Sequence, residues 1–182
     1  MYAIELYLDP AAAAPIRALW QRLASAGFTA MLENGCEPHV TLAVFNQVAE
    51  AALVRRLATF FGEQGPPPLA AFSVLGSFPG SGVLHCTPTT TLPLLTLHRR
   101  LYQAIGRVAA GPYPHYLPGA WVPHCTLAIR LEPQQLPTAF ALALRHWTPF
   151  TTTFDRVALV RPLPRSEALY VQNVANRLTR QP

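Results

Sequence analysis

The chain has 182 residues, of which 51% are apolar and 13% charged, a balance that supports one globular domain with a large core and excludes a disordered chain. No run of 18 apolar residues offers a membrane span, and acidic Glu5 and Asp9 stand where a signal peptide needs positive charge, so a cytoplasmic protein with no membrane partner is expected. The net charge of +5 rests on 14 basic residues, all arginine, and these scattered guanidinium groups suit a nucleotide or nucleic-acid partner without establishing one.

Taken in chain order, Tyr2 to Leu8 alternates and is β-rich, which predicts a strand. Asp9-Pro10 reads as an N-cap with proline at the first helical position, opening a helix over Ala11 to Ala26 that stops at Gly27. A strand is predicted over Pro38 to Phe45 and a helix over Ala49 to Phe61, ended by Gly62 and the Gly65-Pro66-Pro67-Pro68 break. Two strands, Leu69 to Phe78 and Val83 to Thr87, flank the turn Pro79-Gly80-Ser81-Gly82. A long amphipathic helix follows over Leu92 to Val108, then a loop over Gly111 to Gly119, a strand over Trp121 to Leu131 and a helix over Pro133 to His146. Strands over Phe150 to Val160 and Ala168 to Ala175 close the chain.

The order thus repeats: strand, helix, strand, helix, strand, twice over, with one strand added. This predicts an α+β architecture of two mostly antiparallel sheets related by a pseudo-twofold axis, with helices outside. A single domain over 1–182 is expected, made of similar halves at about 1–80 and 81–165 with a final strand at about 168–175. Cys36, Cys86 and Cys125 are odd in number and lack metal-ligand spacing, so neither a disulfide framework nor a zinc site is indicated.

Within the repeated order a hexamer recurs. Pro38-His39-Val40-Thr41-Leu42-Ala43 and Pro123-His124-Cys125-Thr126-Leu127-Ala128 differ only at Val40 against Cys125. Each copy lies on the equivalent strand of its half. Residues i and i+2 of a strand share a face, so His39 pairs with Thr41 and His124 with Thr126, while Val40, Leu42, Cys125 and Leu127 turn to the apolar side. Cys125 therefore faces away from His124, which argues against a cysteine nucleophile. Two His–Thr pairs facing across a groove suit phosphodiester cleavage. A neutral imidazole takes a proton from the attacking oxygen and a protonated one gives a proton to the leaving oxygen. The threonine hydroxyls can donate to the non-bridging oxygens. No acid in either motif is placed to hold a metal, and no cofactor is expected. Either histidine can be the base.

These two His-x-Thr-x copies resemble the signature of the two-histidine (2H) phosphoesterase superfamily, which includes the 2′-5′ RNA ligase and RNA 2′,3′-cyclic phosphodiesterase proteins. Leu97-His98-Arg99-Arg100-Leu101 and Gly119-Ala120-Trp121-Val122-Pro123-His124 are also similar to sequences of that family. The resemblance covers nearly the whole chain. It implies a bilobal fold and a metal-independent site with catalytic His39 and His124 and phosphate-binding Thr41 and Thr126. The implied substrates are RNA 2′,3′-cyclic phosphate ends or 2′-5′ phosphodiester bonds, and a monomer is expected. Two alternatives stand beside this: a small-nucleotide cyclic phosphodiesterase acting on ADP-ribose cyclic phosphate or a similar metabolite, and a non-catalytic protein that binds RNA ends.

Other residues are candidates for substrate contact. Tyr113 and Tyr116 lie in the loop before the second motif, where aromatic rings can stack a base. Arg130 follows His124 by six positions, on the same face if the strand stays regular, with its Cα about 20 Å away; it would meet a neighbouring phosphate. Phe45 has the same register after His39, and core packing is favoured for it. A third His-x-Thr, His85-Cys86-Thr87, sits on the strand equivalent to Tyr2–Leu8 and is read as structural or at the cleft edge. Trp121, His98 and His146 are read as structural.

Overall fold

The computed structural model describes residues 1–162 and 164–175. Its strands are β1 (Tyr2–Leu8), β2 (His39–Val48), β3 (Ala70–Phe78), β4 (Val83–Pro88), β5 (Ala109–Pro112), β6 (Cys125–Ala128), β7 (Phe150–Thr152), β8 (Phe154–Arg161) and β9 (Glu167–Asn173). The helices are α1 (Pro10–Ser25), α2 (Ala30–Glu33), α3 (Glu50–Glu63), α4 (Leu92–Ile105) and α5 (Leu136–His146). Two sheets result, a five-stranded one in the order β5-β2-β1-β8-β9 and a four-stranded one in the order β6-β4-β3-β7. Every strand pairing among the described residues is antiparallel, in line with the mostly antiparallel sheets the sequence predicts.

The sheets do not divide at the middle of the sequence. β3 and β4 are joined by a four-residue turn and pair along their length, so position 80 falls within one sheet and not between two. The strand expected over Phe150 to Val160 is two strands in different sheets: β7 pairs with β3 and β8 with β1. The crossing is at Thr153, and Asp9 causes it. Its Oδ1 caps α1 by accepting from the backbone N–H groups of Ala11 and Ala12 at 3.0 Å each. Its Oδ2 accepts from Thr153 N–H at 3.0 Å, Thr152 Oγ1–H at 2.9 Å and Thr153 Oγ1–H at 3.2 Å. With its N–H taken by a side chain, Thr153 leaves the ladder and the chain passes to the other sheet.

The helices interlock the sheets as well. α1 follows β1 of the first sheet but packs on β6, β7 and α5 of the second. α4 follows β4 of the second sheet but packs on β2 of the first, where Tyr102 meets Phe45 at 5.9 Å between ring centroids. The apolar stripe of α1 (Ala12, Ala13, Ile16, Leu19, Trp20, Leu23) follows helical spacing and is buried. It shares one continuous core with Ile4, Leu6 and Leu8 of β1 and Leu42, Leu84 and Leu127 of the other sheet strands.

Other elements also differ from expectation. β5 forms where a loop was predicted, because Ala109–Pro112 is a short edge strand against β2 that carries no alternating pattern. The strand expected over Trp121 to Leu131 keeps only four residues, β6. It stops because Arg130 takes a left-handed conformation (φ 60°) and Leu131 N–H turns to the carbonyl of Gly82 at 3.0 Å. Gly82 is itself left-handed (φ 62°), and a Cβ there would lie 2.5 Å from the Leu131 carbonyl oxygen, so only glycine fits.

Asp9 joins a helix N-terminus to the sheet crossing, and Asp9→Ala is expected to cost about 1–2 kcal/mol, the range of a lost N-cap. Burial alone would raise the Asp9 pKa, but the hydrogen bonds from Ala12, Thr152 and Thr153 bring it below 3.8. A depressed folded-state pKa contributes stability that is present above 3.8 and lost as pH falls through the folded value. Urea unfolding midpoints of wild type and D9A should therefore differ at pH 6 and draw together as the pH falls below 3.8 through the folded-state value.

Candidate active site

Both motif strands carry the same irregularity. In the β1–β2 ladder Ile4 faces Ala43 but Glu5 faces Thr41, leaving Leu42 as the extra residue. In the β4–β6 ladder Leu84 faces Ala128 but His85 faces Thr126, leaving Leu127 extra. These are β-bulges at the same place in the two hexamers. They let the Leu-Ala that ends each hexamer turn both side chains to the core, while histidine and threonine keep the other face. Leu42, Ala43, Leu127 and Ala128 are all buried.

The bulge also settles Phe45. It reverses the alternation beyond Leu42, so Phe45 joins the core with Ala43, and Val44 lies on the cleft side with Tyr7 and Ala158. The regular-strand premise for Arg130 fails likewise. The strand ends at Ala128 and Arg130 is an exposed residue beyond it.

The two histidines are held alike. Nδ1 of His39 is 2.6 Å from the Glu37 carbonyl oxygen and Nδ1 of His124 is 2.8 Å from that of Val122, in each case the residue two positions earlier. A carbonyl only accepts, so Nδ1 carries the proton in both rings and Nε2 is the nitrogen left for chemistry. β2, which begins at His39, lies against β6, which begins one residue after His124. Burial lowers the His124 pKa; the Val122 carbonyl opposes this and the charge of His39 adds to it.

Two indoles tie the motifs together crosswise. Trp121, just before the second motif, donates Nε1–H to the Thr41 carbonyl of the first at 2.9 Å. Trp20, on α1 of the first half, donates Nε1–H to the Thr126 carbonyl of the second at 3.1 Å. His98 stacks on Trp121 with rings 4.1 Å apart and 4° from parallel, and its Nε2 donates to the carbonyl of Leu42, the bulge residue, at 2.9 Å. Trp121 and His98 thus support the first motif from the core, where His98 is 1% exposed.

A cavity of about 580 Å³ opens on the His124 side of the cleft, lined by His124 and Thr126 with Phe78, His115, Tyr116 and Ile129 among others. Tyr116 is drawn into the site, where it lines the cavity and burial raises its pKa. Tyr113 lies outside that lining; it is 37% exposed and its N–H donates to Val44. His85 is buried beneath Phe78, ring centroids 4.3 Å apart, and stands 5.2 Å from the His124 ring. It fits only because its neighbour is Gly76, where a Cβ would come within 2.9 Å of His85 Cε1. Glu5, which the sequence reading used only against a signal peptide, places Oε1 3.4 Å from Nε2 of His39. Aligning the two halves strand by strand sets Glu5 opposite the same motif position as His85, and that signal was available in the sequence. Trp20 carried no such signal. Among the described residues no three His, Cys, Asp or Glu side chains converge as a metal-ligand set, and no helix is long and apolar enough to cross a membrane.

A family model described as the 2′-5′ RNA ligase superfamily matches residues 8–164. No curated protein matches the chain. Among solved structures, Escherichia coli LigT complexed with 3′-AMP is similar at 15% identity and a TM-score of 0.57, over 96% of this chain and 98% of that one. A structure described as a phosphoesterase is similar at 15% identity and a TM-score of 0.55, over 95% and 97%. LigT complexed with NADP⁺ gives 15% identity and 0.54, over 95% and 96%. At this identity the likeness is one of fold, and it agrees with the α+β bilobal architecture.

Trp121→Phe keeps the ring but leaves the Thr41 carbonyl without its donor. A buried acceptor left unpaired costs about 1–3 kcal/mol, so the unfolding free energy should fall by that amount, read as a lower urea midpoint at unchanged m-value.

Proposed function

The chain belongs to the 2′-5′ RNA ligase superfamily, and from that premise we propose that it is a metal-independent phosphodiesterase acting on RNA 2′,3′-cyclic phosphate ends or 2′-5′ phosphodiester bonds. The observation that carries this reading is the matched pair of imidazoles. Each has Nδ1 committed to the carbonyl two residues before it, which leaves Nε2 as the nitrogen for proton transfer.

The chemistry follows from that pair. In hydrolysis one Nε2 takes a proton from water as the water oxygen bonds to phosphorus. The bond from phosphorus to the leaving ester oxygen breaks, and the other Nε2 delivers its proton to that oxygen. One proton is taken and one given, so the pair ends with its protons exchanged and resets through solvent. Thr41 and Thr126, one residue further along each strand face, are placed to donate to the non-bridging oxygens, whose charge rises in the transition state.

A second reading has its own support. The cavity beside His124, about 580 Å³, has the volume of a small-ligand site, which suits a small cyclic nucleotide of the ADP-ribose cyclic phosphate type as well as an RNA end. LigT has been crystallised with 3′-AMP and NADP⁺, and both are nucleotides of modest size. A non-catalytic RNA-end-binding role is less well supported, because both motifs keep histidine and threonine.

His39→Ala and His124→Ala should each lower turnover at least about 100-fold, the low end of what a general acid or base contributes, with unchanged circular dichroism. The assay is a panel of RNA with 2′,3′-cyclic ends, 2′,3′-cyclic mononucleotides, ADP-ribose cyclic phosphate and 2′-5′-linked RNA, with the product phosphate position assigned. Activity should persist in EDTA; loss that added zinc or magnesium restores would rule out the two-histidine mechanism. Affinity that falls steeply with salt would favour the polymer over the mononucleotide.

A further inference from the structure

The two halves of the cleft agree in the motif histidines, their carbonyl partners and the bulges, but they differ at one position. Opposite Thr41 stands Glu5, and opposite Thr126 stands His85. Each lies immediately beside its bulge, and the two are equivalent under the pseudo-twofold. They are buried to the same degree, 4% and 5% exposed.

Their effects on the adjacent catalytic ring are opposite. At His39, Nδ1 faces the Glu37 carbonyl and Nε2 lies 3.4 Å from Glu5 Oε1. Both ring nitrogens face acceptors. The arrangement is satisfied when the ring carries two protons, or when Glu5 carries the second and donates it to Nε2. In either case the His39–Glu5 pair holds one dissociable proton. At His124 only Nδ1 is so engaged. The neighbour at the equivalent position is an imidazole whose own Nδ1 is 3.0 Å from Thr87 Oγ1. Burial, and then the charge of His124, push the His85 pKa down to about 4, so His85 is neutral near pH 7 and sets no negative charge beside its neighbour.

Resting on the phosphoesterase reading of this cleft, we propose that Glu5 is a positioning residue that keeps the dissociable proton on Nε2 of His39, making His39 the general acid and His124 the general base. The direction of the reaction is then built into the site. Water attacks from the His124 side, beside the cavity, and the leaving oxygen takes its proton from the His39 side.

The groups around Glu5 agree with this. Tyr7 from β1, Cys36 from the segment before β2 and Tyr116 from the 114–116 turn face it. Burial first and Glu5 second raise each of their pKa values, Cys36 to about 11, so all three stay protonated and neutral. Arg156 from β8 lies over the Tyr7 ring, 4.9 Å from its centroid, and Glu37 contributes its charge on the same side. Burial raises the pKa of Glu5, while His39 and Tyr7 pull it back.

The sign of the test follows. A general acid must be protonated, so its loss of the proton sets the alkaline limb of the kcat/KM profile; a general base sets the acid limb. Glu5→Gln keeps the size of the side chain but removes the anion. The alkaline limb should move to lower pH by at least about one unit. The acid limb should stay in place, below pH 6.5 where the lowered His124 pKa puts it. The ¹⁵N NMR titration of the His39 ring should fall by the same amount and that of His124 should not. An unchanged alkaline limb and an unchanged His39 midpoint in folded E5Q would overturn the proposal. If E5Q does not fold, the wild-type titration decides: His39 must lose its Nε2 proton at higher pH than His124, and the reverse order overturns the assignment. A wild-type protein inert on every phosphodiester of the panel would sink the phosphoesterase reading, while the order of the two titrations would still decide the role of Glu5.

Discussion

The site depends on two indole N–H groups donated across the lobes. A bulge takes backbone carbonyls out of the regular ladder, and a buried carbonyl without a donor costs about 1–3 kcal/mol. At the first motif, Trp121 and His98 take up the carbonyls of Thr41 and Leu42. At the second, Trp20 takes up the carbonyl of Thr126. Each donor comes from the opposite half of the chain. Neither motif is completed by its own half, and this is why α1 and α4 must each cross to the other sheet. The crossing at Thr153, enforced by Asp9, is part of the same exchange.

This arrangement explains which parts of the fold were legible in the sequence. Alternation and helix signals are local, and they located β1, α1, β2, α3, β3, β4 and α4 to within a few residues. The hexamer located the two histidines, since five identical residues on equivalent strands mark equivalent places. Features set by contacts far along the chain were not legible. The split at Thr153 depends on Asp9, more than 140 residues away. The bulges depend on which strand lies opposite, so the reversal that buries Phe45 could not be read from β2 alone. The end of β6, which removes Arg130 from the cleft face, depends on Gly82. A regular strand of eleven residues over 121–131 was a fair extension of the pattern, but only four of those residues keep their pairing.

The site residues divide in the same way. His39, His124, Thr41 and Thr126 announce themselves because they are repeated. Glu5 and His85 do not, because what matters about them is that they are unlike each other. Repetition makes the shared part of a duplicated site visible and hides the part that has diverged. The near-copy His85-Cys86-Thr87 illustrates this: it resembles a motif by composition, and its importance comes from where it stands, across from Thr126.

A cleft with two identical walls would hold a phosphodiester equally well in either orientation, and half of the bound poses would put a proton acceptor where a donor is needed. In-line displacement requires one proton to leave at one apical position and another to arrive at the opposite one. A twofold scaffold must therefore break its symmetry at the level of protons while keeping it at the level of geometry. Changing a motif histidine would break both. Changing the residue behind it leaves the imidazoles, their carbonyl anchors and the bulges in register and alters only which ring holds the second proton. Glu5 against His85 is a change of that kind: the two are buried to the same degree and stand at the same cross-strand position, one an acid 3.4 Å from Nε2 and the other an imidazole that burial keeps neutral.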